Sequence, residues 1–249
     1  WEEVQEMIRR SKGTAIIPVG STEQHGRHLP VGTDTYVATT LAEAAAEAVD
    51  VVIVPPLWYG WSPHHMVLPG TVTIRPEVLT ELLFDVISSL HHHGIERFVL
   101  INGHRIVNTV WMQIASEKAQ RELGVTVKIF DPAYMSKDIT QSLGFGPVGH
   151  AEEVESSHML YRYESLVHMD RVVDNPIQPT PLYSVDPAYP NDTLCYVPST
   201  VESARKNAEI AGGVSGEPSK SDKDKGAIYH KHLVDRLVAV VKALQATAE

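Results

Sequence analysis

The sequence has one cysteine, Cys195, among its 249 residues. A single cysteine excludes an internal disulfide and is typical of a reducing compartment. No apolar run approaches the ~20 residues that a membrane-spanning helix requires, and no charged-then-apolar segment typical of a signal peptide opens the chain. We therefore expect a soluble, cytoplasmic protein with no membrane partner.

Basic side chains are fewer than acidic ones. Lys and Arg number 21 against 31 Asp and Glu, giving a net charge of −10, and the basic residues are scattered along the chain. Proteins that bind nucleic acid need clustered basic charge to replace the counterions of the phosphate backbone, so we expect no nucleic-acid partner. The chain is 43% hydrophobic and 21% charged, which is typical of a globular protein. No segment has the composition of a linker, so we predict a single domain over residues 1–249.

Short apolar runs alternate with helical patterns through the first half of the chain. The runs, rich enough in apolar residues to be strands buried on both faces, are Ala15–Val19, Val51–Pro55, Arg97–Ile101 and Val125–Phe130. Helical patterns cover Thr35–Val49, Pro76–His93, Val107–Leu123, Ala151–Tyr163 and Lys225–Ala248. The last of these has an apolar stripe formed by Leu233, Leu237, Val240 and Leu244. This alternation predicts an α/β fold with a parallel sheet and helices on both faces. A Pro-rich run from Asn175 to Pro198 is typical of a segment that wraps a surface or caps a site.

The loop after the first predicted strand is dense in potential ligands. Glu23 and His25 are two residues apart, so an extended backbone points both side chains the same way. Asp34, just before the next helix, can return a carboxylate to the same space. Ligands bind at this edge of open α/β sheets. Carboxylate with imidazole suits Zn²⁺, Mn²⁺ or Fe²⁺ better than Ca²⁺ or Mg²⁺, so the loop predicts a transition-metal site.

Two further segments can converge on that site. His104 follows the third predicted strand, so it lies at the same edge of the sheet. His150 precedes a predicted helix on which Glu152, Glu155 and His158 share a face. Taken singly, each feature has an ordinary explanation, such as a solvated loop histidine or acidic residues favoured by the helix dipole. Their combination favours a metal-dependent hydrolase in which metal-activated water attacks the substrate.

Two histidine clusters lie outside these loops. His91, His92 and His93 end a predicted helix, where cationic side chains suit the dipole and consecutive residues diverge, so we expect no metal site there. His64 and His65 lie in a loop at the carboxyl end of the second predicted strand, where substrate contact and a structural role are about equally supported. We take His65 as a candidate substrate-binding residue.

These motifs together resemble the creatininase (creatinine amidohydrolase) family. The segments that carry the resemblance, in the family's order and approximate spacing, are Pro18–Asp34, Leu68–Thr71, Ile101–His104 with Asn108, His150–Ser156 and Gly213–Gly216. The resemblance implies a three-layer α/β/α hydrolase with a mostly parallel sheet, a two-metal centre and a homo-oligomeric state that is often hexameric.

The resemblance also implies a role for each residue that matches a family motif. It implies that Glu23 and His104 bind one metal, that His25 binds the other, and that Asp34 bridges them. Glu155 is expected at the second metal or beside it, with a catalytic contribution. His150 matches the family's proposed proton shuttle. The expected cofactors are two divalent ions, Zn²⁺, Mn²⁺ or Fe²⁺.

The chain departs from creatininases in ways that bear on its substrate. Creatininases carry an acidic ligand where this chain has Ile106, and most of the family has Gly-Gly where Arg105 and Ile106 stand. A guanidinium near the metals can bind hydroxyl or anionic groups. Tyr134 and Phe145 stand in a segment that lacks the tryptophans that pack creatinine. Arg105, His65, Tyr134 and Phe145 are therefore the candidate substrate-binding residues.

Several functions remain open on the sequence. Family branches include formamide hydrolysis on pyrimidine precursors, a maturase-type peptidase, and ring opening of 3-dehydro-scyllo-inosose, a diketo-inositol. A polar pocket bearing arginine suits a polyol ketone, so we favour a small polar cyclic substrate of the inosose kind. The alternative is an amidohydrolase that cleaves the C–N bond of a cyclic amide or a formamide. From other classes, an inactive metal-binding scaffold and a sugar-binding module compete, although neither needs the full ligand set.

Overall fold

The computed structural model of the chain describes residues 1–178 and 200–247. Cys195 and most of the Pro-rich run lie outside the described residues. The prediction that this run caps a site therefore falls on residues that the structure does not describe. Within the described ranges, no helix is both long enough and apolar enough to cross a bilayer.

A parallel sheet forms the centre of the fold. The first half of the chain contains α1 (Glu2–Arg10), β1 (Thr14–Val19), α2 (Thr33–Ala46), β2 (Val52–Ile53), α3 (Pro76–His92), β3 (Arg97–Asn102), α4 (Thr109–Leu123) and β4 (Thr126–Phe130). The strand order is β2-β1-β3-β4, and each adjacent pair is parallel. The predicted strands and helices are confirmed to within about two residues at most ends.

The second half of the chain is helical where the structure describes it. It contains α5 (Pro132–Met135), α6 (Lys137–Ser142), α7 (Glu153–Tyr163), α8 (Val201–Ala211) and α9 (Lys223–Ala246). α9 carries the predicted apolar stripe, and Leu233, Leu237 and Leu244 on it are buried. Helix α7 packs on α9.

Two hydrophobic clusters cover the two faces of the sheet, because alternate strand residues point to opposite sides. On one face, Ile16 and Val99 pack against α2, α7 and α9. On the other face, Ile17 and Leu100 pack against α3 and α4. The predicted three-layer α/β/α architecture is therefore confirmed.

Two glycines allow α2 to start close to the strand ends. A Cβ on Gly20 would lie 2.1 Å from Thr35 Oγ1, and one on Gly103 would lie 2.0 Å from the carbonyl oxygen of Asp34. Only glycine leaves room for such close approach. The first turn of α2, with Asp34 in it, is thereby held against the carboxyl ends of β1 and β3.

Candidate metal centre

The chain folds so that its polar loops meet at one edge of the sheet. β1 and β3 are neighbours, so the loop that carries Glu23 and His25 lies beside the loop that carries His104. Asp34 comes from the start of α2, where the helix dipole favours a carboxylate. Glu155 comes from the first turns of α7. The convergence predicted from strand ends is confirmed.

Asp34 lies between two histidines and contacts each with a different oxygen. Its Oδ1 is 3.1 Å from His25 Nε2, and its Oδ2 is 3.2 Å from His104 Nδ1. Glu23 Oε1 is 3.2 Å from the same His104 nitrogen. Glu155 Oε2 is 3.8 Å from His25 Nε2. All five side chains are buried.

Two groups of side chains suited to a metal ion therefore share Asp34. One is Glu23, Asp34 and His104, and the other is His25, Asp34 and Glu155. A third group, Glu23, His25 and His150, overlaps both. Apart from His150, which was predicted to be a proton shuttle, these are the residues that the sequence predicted to bind metal, and the role of each remains a prediction.

The donor atoms fit a cation better than they fit one another. Both carboxylate oxygens of Glu23, Asp34 Oδ2 and His25 Nε2 are buried and make no hydrogen bond, although imidazole and carboxylate atoms lie 3.1 to 3.2 Å apart. Buried polar atoms are rarely left without a partner. Ligand atoms that face a common space without bonding each other are what a metal site provides.

The electrostatics of the cluster point the same way. Burial lowers the pKa of His25, but the carboxylates of Asp34, Glu155 and Glu23 outweigh burial and raise that pKa to about 10. Burial likewise opposes protonation of His104, whose pKa Glu23 and Asp34 nevertheless raise well above its ordinary value. Carboxylates that keep buried imidazoles protonated stabilise positive charge at this place. A divalent cation can take the place of those protons.

His150 lies beside this cluster as a neutral imidazole. Burial and, to a smaller extent, the neighbouring His25 lower its pKa to about 4. Its Nε2 is 2.6 Å from the carbonyl oxygen of Gln24, which can only accept, so Nε2 carries the hydrogen. Nδ1 is then the unprotonated nitrogen, and it lies 3.7 Å from Glu23 Oε1.

Two residues that the sequence analysis did not single out hold the histidines in place. Gln24 Nε2 donates to His65 Nδ1 at 2.8 Å, and the His65 ring stacks on that of His150 with centroids 4.0 Å apart. Ser62 Oγ is 3.4 Å from His104 Nε2. Metal-binding histidines are commonly oriented by such a bond to their second nitrogen. The position of Gln24 between Glu23 and His25 was the available signal.

A cavity of about 260 Å³ opens onto the cluster. Its walls carry polar groups that can meet a substrate and a smaller number of apolar ones. The lining includes Gln24, His64, His65, Val67, Arg105, His150, Ile177, Asn207 and Ser215. Of the candidate substrate-binding residues, His65 and Arg105 therefore line the cavity. Sequence reasoning missed Asn207, which α8 contributes and which no local motif marks.

Tyr134 and Phe145 are not among the residues that line the cavity, which differs from the sequence prediction. Tyr134 is half exposed on the short helix α5. Phe145 packs against the core and meets Tyr229 edge to face, with ring centroids 6.2 Å apart. The apolar area of Phe145 is better buried against α9 than at a polar pocket. His158, predicted to share the face of Glu155, turns instead to His230, 2.8 Å away.

Arg105 is more enclosed than expected for a residue that meets substrate. Its Nη2 is 2.8 Å from Glu152 Oε1 and 2.7 Å from Glu155 Oε1, and its side chain is 6% exposed. Burial alone would lower the pKa of the guanidinium, but Glu152 and Glu155 raise it well above its ordinary value. Burial raises the pKa of Glu152 to about 7 against the pull of Arg105. Ile106 stands where creatininases carry an acidic ligand, and its hydrocarbon side chain has no atom that can bind a metal.

Comparison with known proteins agrees with this geometry. A family model described as Creatininase, creatinine amidohydrolase, matches residues 1–241. The chain is 30% identical over 230 residues to the creatinine amidohydrolase of Pseudomonas putida, covering 85% of this chain and 87% of that protein. It is 35% identical over 168 residues to the 3-dehydro-scyllo-inosose hydrolase of Thermotoga maritima, covering 64% of this chain and 53% of the relative. A solved manganese creatininase structure superposes with a TM-score of 0.80 at 27% identity, covering 98% of this chain and 95% of the other.

Proposed function

Because this chain belongs to the creatininase family, we propose that it is a hydrolase whose residues around Asp34 would hold two divalent cations and that it opens a small, polar, cyclic substrate. The observation that supports the proposal most directly is the contact of each Asp34 oxygen with a different histidine. A carboxylate in that position can serve two ions at once.

In this proposal Glu23, Asp34 and His104 would hold one ion, and His25, Asp34 and Glu155 would hold the other. Bound divalent ions supply Lewis acidity, which lowers the pKa of water and polarises the bond under attack. The carboxylates keep the imidazoles of His25 and His104 facing the shared space. The manganese-containing solved structure supports Mn²⁺ as one of the candidate ions, beside Zn²⁺ and Fe²⁺.

His150 is proposed to move the proton. Its Nε2–H donates to the carbonyl oxygen of Gln24, which leaves Nδ1 free to accept a proton from the attacking water. The same nitrogen can then deliver that proton to the leaving group. The stacked ring of His65 restricts rotation of the imidazole, so the shuttle nitrogen keeps its direction through both steps.

The cavity supports a small substrate with several polar groups. Pockets for drug-sized ligands are commonly ~300–1,000 Å³, and this cavity of about 260 Å³ falls below that range. Gln24, His64, Asn207 and Ser215 offer hydrogen-bonding groups in its walls. Such a wall suits a hydroxylated ring. The similarity to the Thermotoga inosose hydrolase supports a diketo-inositol, and its ring opening breaks a C–C bond.

A cyclic amide or a formamide is the second candidate substrate. The longer match, to the Pseudomonas creatinine amidohydrolase, supports cleavage of a C–N bond. The same residues can perform either reaction, because metal binding and proton transfer do not depend on which atom leaves. An inactive metal-binding scaffold is disfavoured, since a scaffold needs neither the neutral His150 nor the cavity beside it.

A parallel assay distinguishes these substrates. Protein reconstituted with Zn²⁺, Mn²⁺ or Fe²⁺ is offered 3-dehydro-scyllo-inosose, creatinine and simple formamides, with Asp34→Ala as the inactive control. We expect the inosose to turn over fastest, and Asn207→Ala to raise KM for it more than it lowers kcat. Fastest turnover of creatinine would contradict the inosose proposal and leave the hydrolase assignment intact. No turnover of any substrate with metal bound would favour the scaffold.

A further inference from the structure

Arg105 bridges two buried carboxylates at the edge of the metal centre. Its Nη2 lies 2.8 and 3.0 Å from the two oxygens of Glu152 and 2.7 Å from Glu155 Oε1. The side chains of Arg105 and Glu152 are 6% and 1% exposed. One positive and two negative charges are thus enclosed together. An anionic substrate group that approached Arg105 would also meet both carboxylates, so the guanidinium is poorly placed to attract it.

The two oxygens of Glu155 have different partners. Oε1 faces Arg105, while Oε2 accepts a hydrogen bond from the backbone nitrogen of Ala151 at 2.7 Å and lies 3.8 Å from His25 Nε2. Arg105 Nη2 and Glu155 Oε1 form a close ion pair at 2.7 Å, and the attraction between them draws Oε1 toward the guanidinium. Arg105 therefore restricts the rotation of the Glu155 carboxylate and keeps Oε2 on the side of His25 and Asp34.

A strained loop delivers Arg105 to this position. Ile106 has a φ of 68°, in the left-handed region that β-branched residues rarely adopt. Asp131, at the end of β4, holds the loop, because its Oδ2 accepts from the backbone nitrogen of Ile106 at 2.7 Å and from Asn102 Nδ2 at 2.8 Å. Such strain persists only where the surroundings impose it.

Glu155 matters to its metal group more than its peripheral place suggests. Asp34 belongs to the group of Glu23, Asp34 and His104 and also to the group of His25, Asp34 and Glu155. Within the second of these groups, Glu155 is therefore the only carboxylate that is not shared with the first. We propose that Arg105 is a positioning residue that aims one oxygen of Glu155 at the His25–Asp34 group and so completes the second metal site. The inference rests on the proposed two-ion function.

The first test measures metal binding without substrate. Metal-free protein is titrated with Mn²⁺ alone in a calorimeter, for the wild type and for Arg105→Met. We expect wild-type protein to bind two ions and the variant to bind the first ion as before and the second about 10–100-fold more weakly, the usual cost of losing a partner of a metal ligand. With the inosose as substrate, kcat should fall and KM should change little.

Arg105→Met leaves Glu152 buried without a counter-charge and can destabilise the fold. The comparison is therefore repeated in a Glu152→Gln background, where that charge is gone and Arg105 still meets Glu155. Glu152→Gln alone should bind both ions nearly as the wild type does. Adding Arg105→Met to it should again weaken the second ion alone.

A double-mutant cycle tests whether Arg105 acts through Glu155. Glu155→Gln should weaken the second ion, and adding Arg105→Met to it should cause little further loss, because the group being positioned has already been altered. Additive losses would overturn the proposal, as would a variant that binds both ions normally and shows only a raised KM. If the wild type itself binds fewer than two ions, the two-ion function fails and the inference fails with it.

Discussion

Asp34 is buried and His150 is partly buried in the same region of the fold, yet they are proposed to do different work. Asp34 contacts the histidines of both metal groups, whereas His150 makes its strongest contact with a backbone carbonyl. The first position is suited to holding ions and the second to moving a proton. Substitution can separate the two roles.

We predict that Asp34→Ala loses bound metal and activity together, and that His150→Ala keeps its metal. Loss of a proton shuttle should lower kcat by about 10²–10⁴-fold, the usual contribution of general acid–base catalysis. Elemental analysis and steady-state kinetics on the same protein samples measure both properties. If His150→Ala emptied the site, His150 would be a ligand, and the shuttle role would be wrong.

The sequence predicted which side chains meet at the edge of the sheet, but it did not predict how Arg105 is used. Glu23, His25, Asp34 and His104 could be placed together because each follows a strand or begins a helix at one edge of a parallel sheet. The pairing of Arg105 with Glu152 depends on the left-handed turn at Ile106. Asp131, 25 residues further along the chain, holds that turn. The sequence near Arg105 gives no signal for a contact with a residue so far along the chain.

At the scale of elements, the approach of α2 to the ends of β1 and β3 positions the bridging carboxylate. Gly103 touches the backbone of Asp34, and its own nitrogen donates to the carbonyl of Val19 at 2.8 Å. Any side chain at this position must push the first turn of α2 outward. The geometry of the metal centre therefore depends on a residue that offers no ligand.

We predict that Gly103→Ala destabilises the protein and displaces Asp34, because the added Cβ would lie 2.0 Å from a backbone oxygen. Overpacking of this kind typically costs ~1–3 kcal/mol, and here metal affinity should fall as well. Urea unfolding and Mn²⁺ titration measure the two effects. Gly146→Ala is the matched control, since its Cβ would meet Glu153 Oε2 at an ordinary 3.6 Å. Equal stability and metal affinity in the two variants would contradict the role of close packing.

Elements whose pattern repeats were predicted more closely than elements that rely on distant partners. The apolar runs of β1 and β3 and the stripe of α9 are local signals, and their bounds fell within about two residues. β2 is shorter than predicted, Val52–Ile53 in place of Val51–Pro55, because only two of its residues find partners on β1. Phe145 was misjudged for a similar reason, since α9, which buries it, lies far along the chain.

At the scale of the whole molecule, two buried histidines tie α7 to α9. His158 Nε2 and His230 Nδ1 are 2.8 Å apart, so one of them donates a hydrogen to the other. Burial lowers the pKa of both histidines, and burial together with the smaller effect of Arg162 lowers that of His230 to about 4. If both histidines were protonated, neither facing nitrogen could accept the hydrogen bond, and two positive charges would lie together.

We predict that this pair makes stability fall as the solution is acidified. The folded-state pKa lies below the unfolded value of ~6.5, so the stabilisation is fully present above that pH and is lost as pH falls toward about 4. The thermal midpoint of metal-free protein, measured from pH 8 to pH 4.5, should drop less steeply in His230→Gln than in the wild type. Parallel curves for the two proteins would show that the pair does not titrate on unfolding.

We also propose that the protein is a homo-oligomer, as the family resemblance implies. The packed helices α3 and α4 leave Val78, Leu82, Val110 and Ile114 exposed. Exposed apolar side chains on neighbouring helices are typical of a surface that another subunit covers. Light scattering on a sizing column should give a mass that is a multiple of the 27.5 kDa chain. A monomer at micromolar concentration would contradict this proposal.

The central claim is that two cations share Asp34, and anomalous scattering from a crystal of Mn²⁺-reconstituted protein tests it most directly. The account predicts two peaks at the manganese edge in each chain, one in contact with Glu23 and His104, the other in contact with His25 and Glu155, and both in contact with Asp34. Peaks that avoid Asp34, or no peak among these carboxylates after reconstitution, would contradict it.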